Sequence, residues 1–485
     1  MSRPDHTTEQ RAGRLTPRMT LGAPARRSIR LGVQPRLRWR LLSSPMRAPL
    51  VLVLGFAALI AAGTALLLLP VSARAERADL VTALFTATSA VCVTGLVVVD
   101  TGTYWSPFGQ AVIVTLIQLG GLGFVVGATG LLLLRGGRMS LRQRVIGQEI
   151  GSTLRLGGQA GLLRRAVLLA LVGETIGALF LWARFAPDFG PGHGLWLAVF
   201  HSVAAFANAG FDLFGEFRSL AGFRTDPFVL LTITGLTIAG GLSLVVVEDL
   251  RQQRRWHKLS LDTRVVLIGT AVLLAAGTVV IYLAERQNAA SLGDLASGHQ
   301  WLNAFFHSAA ARTAGFATWD FARADDRSLF FMLGLMFVGA APGSMAGGIK
   351  LTTTAVILAS VWSTLRGRPE PTLLERRLPP RLVGQALTVA VLGLALIANV
   401  ALVISLIEGD RLQASFLKLV FEVTSAFGTV GFTAGVTAQL SAVSKLLLVL
   451  TMFVGRLGPV TVALVLTAWR REAAYRPPSE AVRLG

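Results

Sequence analysis

Four short stretches centred on glycine recur along the chain, and residues of these types could bind a bare cation. They read Val93-Thr94-Gly95, Asn208-Ala209-Gly210, Thr313-Ala314-Gly315 and Thr429-Val430-Gly431. Because glycine has no Cβ, it adopts positive φ without a steric penalty, and successive carbonyl oxygens can then face the same side. Rings of such oxygens replace the hydration shell of a monovalent cation. The stretches therefore predict an ion filter built from main-chain carbonyls.

The fourth stretch is the most specific of the four. It continues as Phe432-Thr433, so it differs from the potassium-channel pattern Thr-Val-Gly-Tyr-Gly by an aromatic exchange and a final Gly to Thr. The four glycines recur at intervals of 105 to 116 residues. Self-similarity of this kind indicates one structural module that is used repeatedly.

Long apolar runs surround these stretches and must position them. The chain is 53% hydrophobic and 15% charged, against roughly 25% charged residues in a soluble domain. A helix needs about 20 mostly apolar residues to cross a bilayer. The sequence therefore predicts an all-α integral membrane protein rather than a set of soluble domains. Its eight predicted transmembrane helices span residues 48–69, 107–134, 163–185, 227–247, 264–283, 328–361, 382–407 and 444–469.

Positive charge is distributed unevenly between the connections. The formal net charge is +20, and residues 1–47 hold eleven Arg against two acids. Because cytoplasmic loops carry the excess of Lys and Arg, both termini are predicted to be cytoplasmic. The basic surface is interpreted as a partner for anionic lipids, and no nucleic acid is expected. An organelle transit peptide is the alternative interpretation of the first 47 residues.

Each glycine-centred stretch follows a short segment that cannot cross a membrane. These segments cover residues 85–92, 200–207, 305–312 and 421–428, and a phenylalanine stands ten residues before each glycine. Aligning His201-Ser202 with His307-Ser308 demands a one-residue deletion in the third segment. The flanking spans both meet the outer side, so each segment is expected to dip into the membrane and return. Irregular backbone is tolerated at that depth only where it is buried in protein or lines a water-filled path. Four dips around one axis therefore predict a central pore.

The predicted organisation is four parallel span–pore helix–span repeats with pseudo-fourfold symmetry, related by an axis along the membrane normal. The predicted segments are a basic tail (1–47), repeat 1 (48–134), repeat 2 (163–247), repeat 3 with a broken second span (264–361), repeat 4 (382–469) and a C-terminal tail (470–485).

Two further motifs accompany the four filters. They are Ala341-Pro342-Gly343-Ser344-Met345-Ala346-Gly347-Gly348-Ile349-Lys350 and Gly455-Arg456-Leu457-Gly458-Pro459. Together with the filters, they resemble the Trk/Ktr/HKT superfamily of potassium transporters, and most closely its Ktr membrane subunits, over about residues 45–469. Sodium-selective plant members carry serine in the first filter, so Gly95 implies potassium permeability.

The resemblance also implies partners and ions. It implies a homodimer that binds a cytoplasmic ring of nucleotide-binding regulatory subunits. It implies K⁺ as the transported ion, bound at the filter carbonyls, and Na⁺ as a possible activator or coupling ion in symport. No covalent cofactor is expected.

The segment Pro342, Gly343, Ser344, Met345, Ala346, Gly347 and Gly348 lies inside the sixth predicted span. Proline removes a helix hydrogen bond and glycine loosens the backbone, so the span is predicted to break here. A packing kink between small residues is the alternative. The resemblance implies a mobile loop under the filter that gates the pore.

Two charged residues lie in the middle of predicted spans, where a charge costs about 2.5–3.5 kcal/mol on insertion scales. The resemblance places Arg456 in the pore below the filter as a positive barrier, and snorkelling to an interface is the alternative. Glu174 is interpreted as a partner in an interhelical hydrogen bond, with a coupling-ion site as the alternative.

Other polar residues near the filters receive simpler interpretations. Asp100, Asp212 and Asp320 follow filter glycines and either concentrate cations at the outer mouth or cap loops. His201 and His307 are placed at the starts of the short helices, Arg312 in a salt bridge behind the filter, and Cys92 in packing.

The predicted function is potassium uptake across the plasma membrane through a gated, channel-like filter. A secondary cation transporter would favour inverted repeats or paired carboxylates within the membrane, and neither is evident. A sodium-permeable relative remains a second alternative. An enzyme is not expected, because the chain has no His-Glu-x-x-His and no Gly-x-Ser-x-Gly motif.

Overall fold

A computed structural model describes residues 47–134, 159–368, 370–412 and 414–458. The predicted C-terminal tail, the predicted N-terminal tail up to residue 46 and the end of the last predicted span lie outside the described residues. Within them the chain is mostly helical, as expected. A two-residue hairpin, β1 (Thr372–Leu373) with β2 (Arg376–Arg377), is the single sheet among the described residues.

Fifteen α-helices follow one another along the described chain. They are α1 (Arg47–Leu67), α2 (Leu80–Val91), α3 (Thr101–Tyr104), α4 (Pro107–Leu134), α5 (Gln159–Phe189), α6 (Pro191–Ala207), α7 (Pro227–Gly241), α8 (Leu244–Gln253), α9 (Leu261–Glu285), α10 (Ser297–Ala310), α11 (Asp326–Phe337), α12 (Leu351–Leu365), α13 (Pro380–Glu408), α14 (Phe416–Gly428) and α15 (Ala442–Leu457).

Several helices have the length and apolarity of a membrane span. Among the described residues, α5, α9 and α13 satisfy both criteria individually, and the bent pair α7 and α8 satisfies them together. Large apolar side chains such as Leu171, Ile176 and Leu179 of α5 are about half exposed. A helix face of this composition is typical of contact with lipid. The predicted total of eight spans stays a prediction.

The fourth predicted span, residues 227–247, is not one continuous helix. The chain bends by 90° between α7 and α8. Gly240 and Gly241 weaken the end of α7, and the Ser243 hydroxyl accepts a hydrogen bond from Val246 N and caps α8. The continuous-span prediction was wrong because the apolar run extends past the point where these residues end one helix and begin another.

The four short helices α2, α6, α10 and α14 precede the glycine-centred stretches. They begin well before the predicted starts at residues 85, 200, 305 and 421, and they contain 12, 17, 14 and 13 residues. The hydroxyl of Ser415 and the carboxylate of Asp79 cap two of them, and these caps lie outside the apolar segments that guided the prediction.

Buried phenylalanines anchor the short helices in the core. Phe85, Phe200 and Phe421 are fully buried, and in the third repeat Phe306 is buried in place of Phe305. The third unit is one residue shorter between this anchor and its glycine. The one-residue deletion that the alignment of His201-Ser202 with His307-Ser308 requires is therefore confirmed.

Candidate ion filter and gate

The four filter glycines meet in a closed ring. A methyl carbon added to Gly95 would lie 3.0 Å from the Cα of Gly210. The corresponding distances are 3.0 Å from Gly210 to Gly315, 3.0 Å from Gly315 to Gly431 and 3.1 Å from Gly431 back to Gly95. Each methyl would also collide with a neighbouring carbonyl oxygen. The ring therefore has room for glycine alone at these positions.

The backbone of each filter stretch has the same unusual conformation. All four glycines have positive φ, between 66° and 100°. The residue two positions before each glycine also has positive φ, and these residues are Val93, Asn208, Thr313 and Thr429. Left-handed conformations are rare outside glycine and cost free energy unless the surroundings enforce them. Their recurrence in four separate stretches indicates one shared, enforced conformation.

Hydrogen bonds tie each stretch to the end of its short helix. In repeats 1, 2 and 4 the residue before the glycine donates its N–H to a carbonyl five residues earlier, as from Thr94 to Ser89 at 2.7 Å. In repeat 3 Ala314 donates to Ala310, four residues earlier, at 2.8 Å. The C-terminal ends of the short helices thus adjoin the ring, and their partial negative charge favours a cation there.

Three threonine hydroxyls at the ring have no hydrogen-bond partner among the described residues. They belong to Thr94, Thr313 and Thr429, and all three side chains are fully buried. A buried polar atom normally finds a partner. Thr94 directly precedes its glycine, whereas Thr313 and Thr429 stand two residues before theirs.

The predicted break in the sixth span lies between α11 and α12. The chain leaves the helix after Phe337 and re-enters one at Leu351. Between these points Val338 forms a parallel bridge with Ile349, and Gly343 and Gly348 have positive φ. The bridge closes residues 339–348 into a compact loop, here called the intramembrane loop.

The intramembrane loop reaches the other three repeats. A Cβ added to Gly347 would lie 3.0 Å from the Cβ of Thr429, which stands two residues before the fourth filter glycine. Ala341 N donates to the Gly241 carbonyl at 3.3 Å, and a Cβ on Gly121 would lie 3.5 Å from the sulfur of Met345. The loop therefore lies next to the filter and within contact of repeats 1, 2 and 4.

Arg456 connects the loop to its surroundings. Its guanidinium donates to the carbonyl of Met345 in the loop and, at 3.1 Å, to the carbonyl of Gly120 in α4. The side chain is 5% exposed. Arg456 thus lies inside the protein beside the loop, and the snorkelling alternative does not apply.

Glu174 forms the interhelical hydrogen bond that was expected. Gln118 Nε2 of α4 donates to its carboxylate at 3.0 Å. The adjoining helix contributes Ser202, whose hydroxyl donates to the Glu174 carbonyl at 2.6 Å. The contact joins repeats 1 and 2, and the coupling-ion alternative stays untested.

The outer aspartates act as caps. Asp100 accepts a hydrogen bond from Thr103 N at 2.8 Å and Asp320 accepts one from Ala322 N at 2.9 Å, so the capping interpretation is confirmed for both. Asp212 is half-buried, and burial together with the nearby Asp100 carboxylate raises its pKa to about 7.

Two interpretations of single residues were wrong, and a third was confirmed. His201 and His307 lie in the second half of α6 and α10, not at their starts, because both helices begin upstream of the predicted segments. Arg312 donates to the Thr270 hydroxyl at 3.2 Å, and none of the described ion pairs includes it. Cys92 is fully buried in packing.

Sequence reasoning missed Glu422. This residue of α14 is 1% exposed, and its carboxylate accepts hydrogen bonds from the chain that follows the fourth filter. A single carboxylate in an apolar segment too short to span was the available signal, because buried charges persist only when they are paired or hydrogen-bonded.

Comparisons with known proteins agree on one group. A family model described as TrkH, cation transport protein, matches residues 46–471. The chain is 40% identical over 420 residues to the Ktr system potassium uptake protein B of Vibrio alginolyticus, covering 86% of this chain and 91% of that protein. It is 36% identical over 456 residues to the potassium/sodium uptake protein NtpJ of Enterococcus hirae, covering 93% and 99%.

A solved structure has the same fold. The crystal structure of the potassium transporter TrkH from Vibrio parahaemolyticus matches with a TM-score of 0.71 at 18% identity, covering 89% of this chain and 88% of the other.

Proposed function

This chain belongs to the TrkH family of cation transport proteins, and from that premise we propose that it takes up potassium across the bacterial plasma membrane through the glycine ring. The relative of Vibrio alginolyticus, 40% identical, is named a potassium uptake protein. The ion crosses as a dehydrated cation held by carbonyl oxygens of the four filter stretches.

The observation that carries this proposal is the closed ring of Gly95, Gly210, Gly315 and Gly431. Residues 105 to 116 positions apart in sequence come within contact of one another in cyclic order. A ring of backbone at this depth fits a cation path, because unpaired carbonyls are tolerated there only in protein or beside water.

The test is growth of a potassium-uptake-deficient bacterium at low external potassium. We expect the intact chain to restore growth and Gly95→Ser and Gly431→Ser to abolish it, because each added side chain meets the backbone of the next stretch. Gly235→Ser is the matched control, since a Cβ at this exposed position of α7 has no heavy atom within 4 Å. Growth with both filter variants would contradict the proposal.

The intramembrane loop is the proposed gate. It lies against Thr429 and is held by Arg456, so an ion leaving the filter toward the cytoplasm meets it. Shortening residues 344–348 is expected to increase K⁺ leak in proteoliposomes. Unchanged flux would place the gate elsewhere.

The proposed orientation and partners rest on the distribution of Lys and Arg and on similarity to the family. Both termini are cytoplasmic, and the chain forms a homodimer on a cytoplasmic ring of nucleotide-binding subunits. Arg251, Arg254, Arg255 and Lys258 lie between α8 and α9 or in the last turn of α8, and offer that ring or anionic lipid a basic surface. Cross-linking of the purified complex, with and without nucleotide, tests this arrangement.

Sodium permeation is the second candidate function. The name of the Enterococcus hirae relative, potassium/sodium uptake protein, favours it. Uptake of ²²Na⁺ into proteoliposomes without K⁺ measures it directly. Na⁺ as an activator would instead raise K⁺ uptake without crossing the membrane itself.

A further inference from the structure

One position recurs in all four short helices directly after the buried phenylalanine anchor. Its occupants are Thr86, His201, His307 and Glu422. All four side chains are buried. The four residues differ in chemistry although the surrounding backbone repeats. Each filter stretch can therefore be held in place by a different side chain.

Three of these side chains accept a hydrogen bond from the same place in their repeat. His201 Nε2 accepts from Leu213 N at 3.3 Å, and His307 Nε2 accepts from Thr318 N at 3.0 Å. In the fourth repeat Glu422 Oε1 accepts from Ala434 N at 2.8 Å. Each donor lies three residues beyond its filter glycine. The acceptor therefore fixes the chain on the outer side of the ring.

Glu422 accepts more hydrogen bonds from the chain beyond its filter glycine than either histidine does. Besides Ala434 N, its Oε1 accepts from Thr433 Oγ1 at 2.6 Å and from Val436 N at 3.2 Å. Its other oxygen accepts from Thr437 Oγ1. Hydrogen bonds to both oxygens offset the cost of burying this carboxyl group. One carboxylate thus fixes four donors within five residues of chain.

The first repeat lacks such a support. The hydroxyl of Thr86 is buried and has no hydrogen-bond partner among the described residues. A threonine is also shorter than histidine or glutamate. The first filter stretch is therefore attached to its own helix but not fixed from behind by this position.

We propose that Glu422, with His201 and His307, positions the filter stretches and thereby determines selectivity between K⁺ and Na⁺. Discrimination between these ions depends on where the carbonyl oxygens are held. Loss of the hydrogen bonds to Glu422 would release the fourth filter stretch, and its carbonyl oxygens could then approach a smaller ion. This inference rests on the proposed potassium uptake and assigns Glu422 as a positioning residue, because it contacts the chain beyond the filter glycine and not the ion.

The experiment compares initial rates of K⁺ and Na⁺ uptake by the full chain in proteoliposomes. Glu422→Met keeps the side-chain length and replaces both oxygens by a thioether, which is a weak acceptor, so we expect the K⁺/Na⁺ ratio to fall by about tenfold, which corresponds to about 1.4 kcal/mol. Glu422→Gln retains one acceptor oxygen and is expected to preserve most of the ratio. Thr86→Val, at the equivalent position without a partner, is the matched control and should leave the ratio unchanged.

His201→Leu removes a single accepted hydrogen bond and keeps the proposal testable if Glu422→Met does not fold. We expect a smaller fall of the ratio in the same direction. Equal ratios in the intact chain and in the folded variants would overturn the positioning role alone, as would an equal loss in Thr86→Val. An intact chain that transports no K⁺ would overturn the proposed function instead.

Discussion

The half-buried carboxylate of Asp212 lies two residues beyond the second filter glycine. On the ion path proposed above, this is where a cation enters. Its pKa is raised to about 7 by burial and by the Asp100 carboxylate. The group is therefore neutral below pH 7 and negatively charged above it. A negative charge at this place attracts cations to the entrance.

We accordingly expect K⁺ uptake at limiting concentration to rise as external pH passes upward through about 7. The gain should be roughly fivefold, because a charge about 4 Å from an ion in water is worth about 1 kcal/mol. Initial-rate measurements across external pH check this. Asp212→Asn should abolish the dependence, and Asp294→Asn, in an exposed ion pair with Arg224, should retain it. A pH profile shared by both variants would contradict the assignment.

Arg456 is the second residue whose charge we expect to affect ion flux. Its guanidinium binds the carbonyls of Met345 and Gly120 and places a positive charge beside the intramembrane loop. Arg456→Gln is expected to raise K⁺ flux severalfold, because the substitution removes the barrier and weakens the hold on the loop. Isotope flux in proteoliposomes measures this. Lys445→Gln, near the other end of the same helix, controls for charge, and equal flux in both variants would argue against the barrier.

Single residues were readable from sequence where the backbone itself demanded them. Gly95 and Gly431 could be identified because positive φ at a crowded ring leaves no alternative to glycine. Glu422 could not be assigned, since its donors Thr433 and Thr437 come from a loop whose path only the fold determines. The one-residue deletion in the third repeat could be recognised, because His201-Ser202 and His307-Ser308 align only when it is allowed.

At the scale of the helices, glycines bring the second span of a repeat against its short helix. A Cβ on Gly240 would overlap the carbonyl oxygen of Phe206, and one on Gly455 would lie 3.0 Å from the Cα of Phe427. Gly120 meets Val91 in the same way. In each case the carbonyl contacted lies four residues before the filter glycine. The spans therefore support the filter directly.

Gly240→Ala is expected to destabilise the protein by about 1–3 kcal/mol, the usual cost of overpacking a close contact. Gly235→Ala on the same helix is the matched control, because a Cβ there has no heavy atom within 4 Å. Thermal unfolding in detergent compares the two. Identical midpoints would show that the helices separate at little cost.

Helix interruptions were predictable only in part. The Pro342-Gly343 pair announced the break after α11, because proline and glycine both disfavour helix. The bend between α7 and α8 was missed although Gly240, Gly241 and Ser243 were visible. The chain stays hydrophobic through the bend. A span assigned from the length of its apolar run therefore includes these helix-ending residues.

At the scale of the whole molecule, a pore that conducts a bare cation needs no chemical energy of its own. A membrane potential supplies about 2.3 kcal/mol per charge per 100 mV. Since about 1.36 kcal/mol is a factor of ten, this is enough for roughly fifty-fold accumulation.

We expect proteoliposomes of this protein to accumulate ⁸⁶Rb⁺ or K⁺ when an inside-negative potential is imposed, without nucleotide hydrolysis and without a Na⁺ gradient. Accumulation should scale with the potential and vanish at zero. Vesicles that contain the Gly431→Ser variant serve as the control. Accumulation that follows a Na⁺ gradient at zero potential would indicate coupled transport instead.

The closed glycine ring is written into a single polypeptide. In an assembly of four identical chains, every mutation would change all four filter stretches of the ring at once. Here a mutation alters one filter stretch and leaves three unchanged, so natural selection can act on each stretch separately. The deletion in the third repeat and the unlike side chains behind each stretch are the traces such a history would leave.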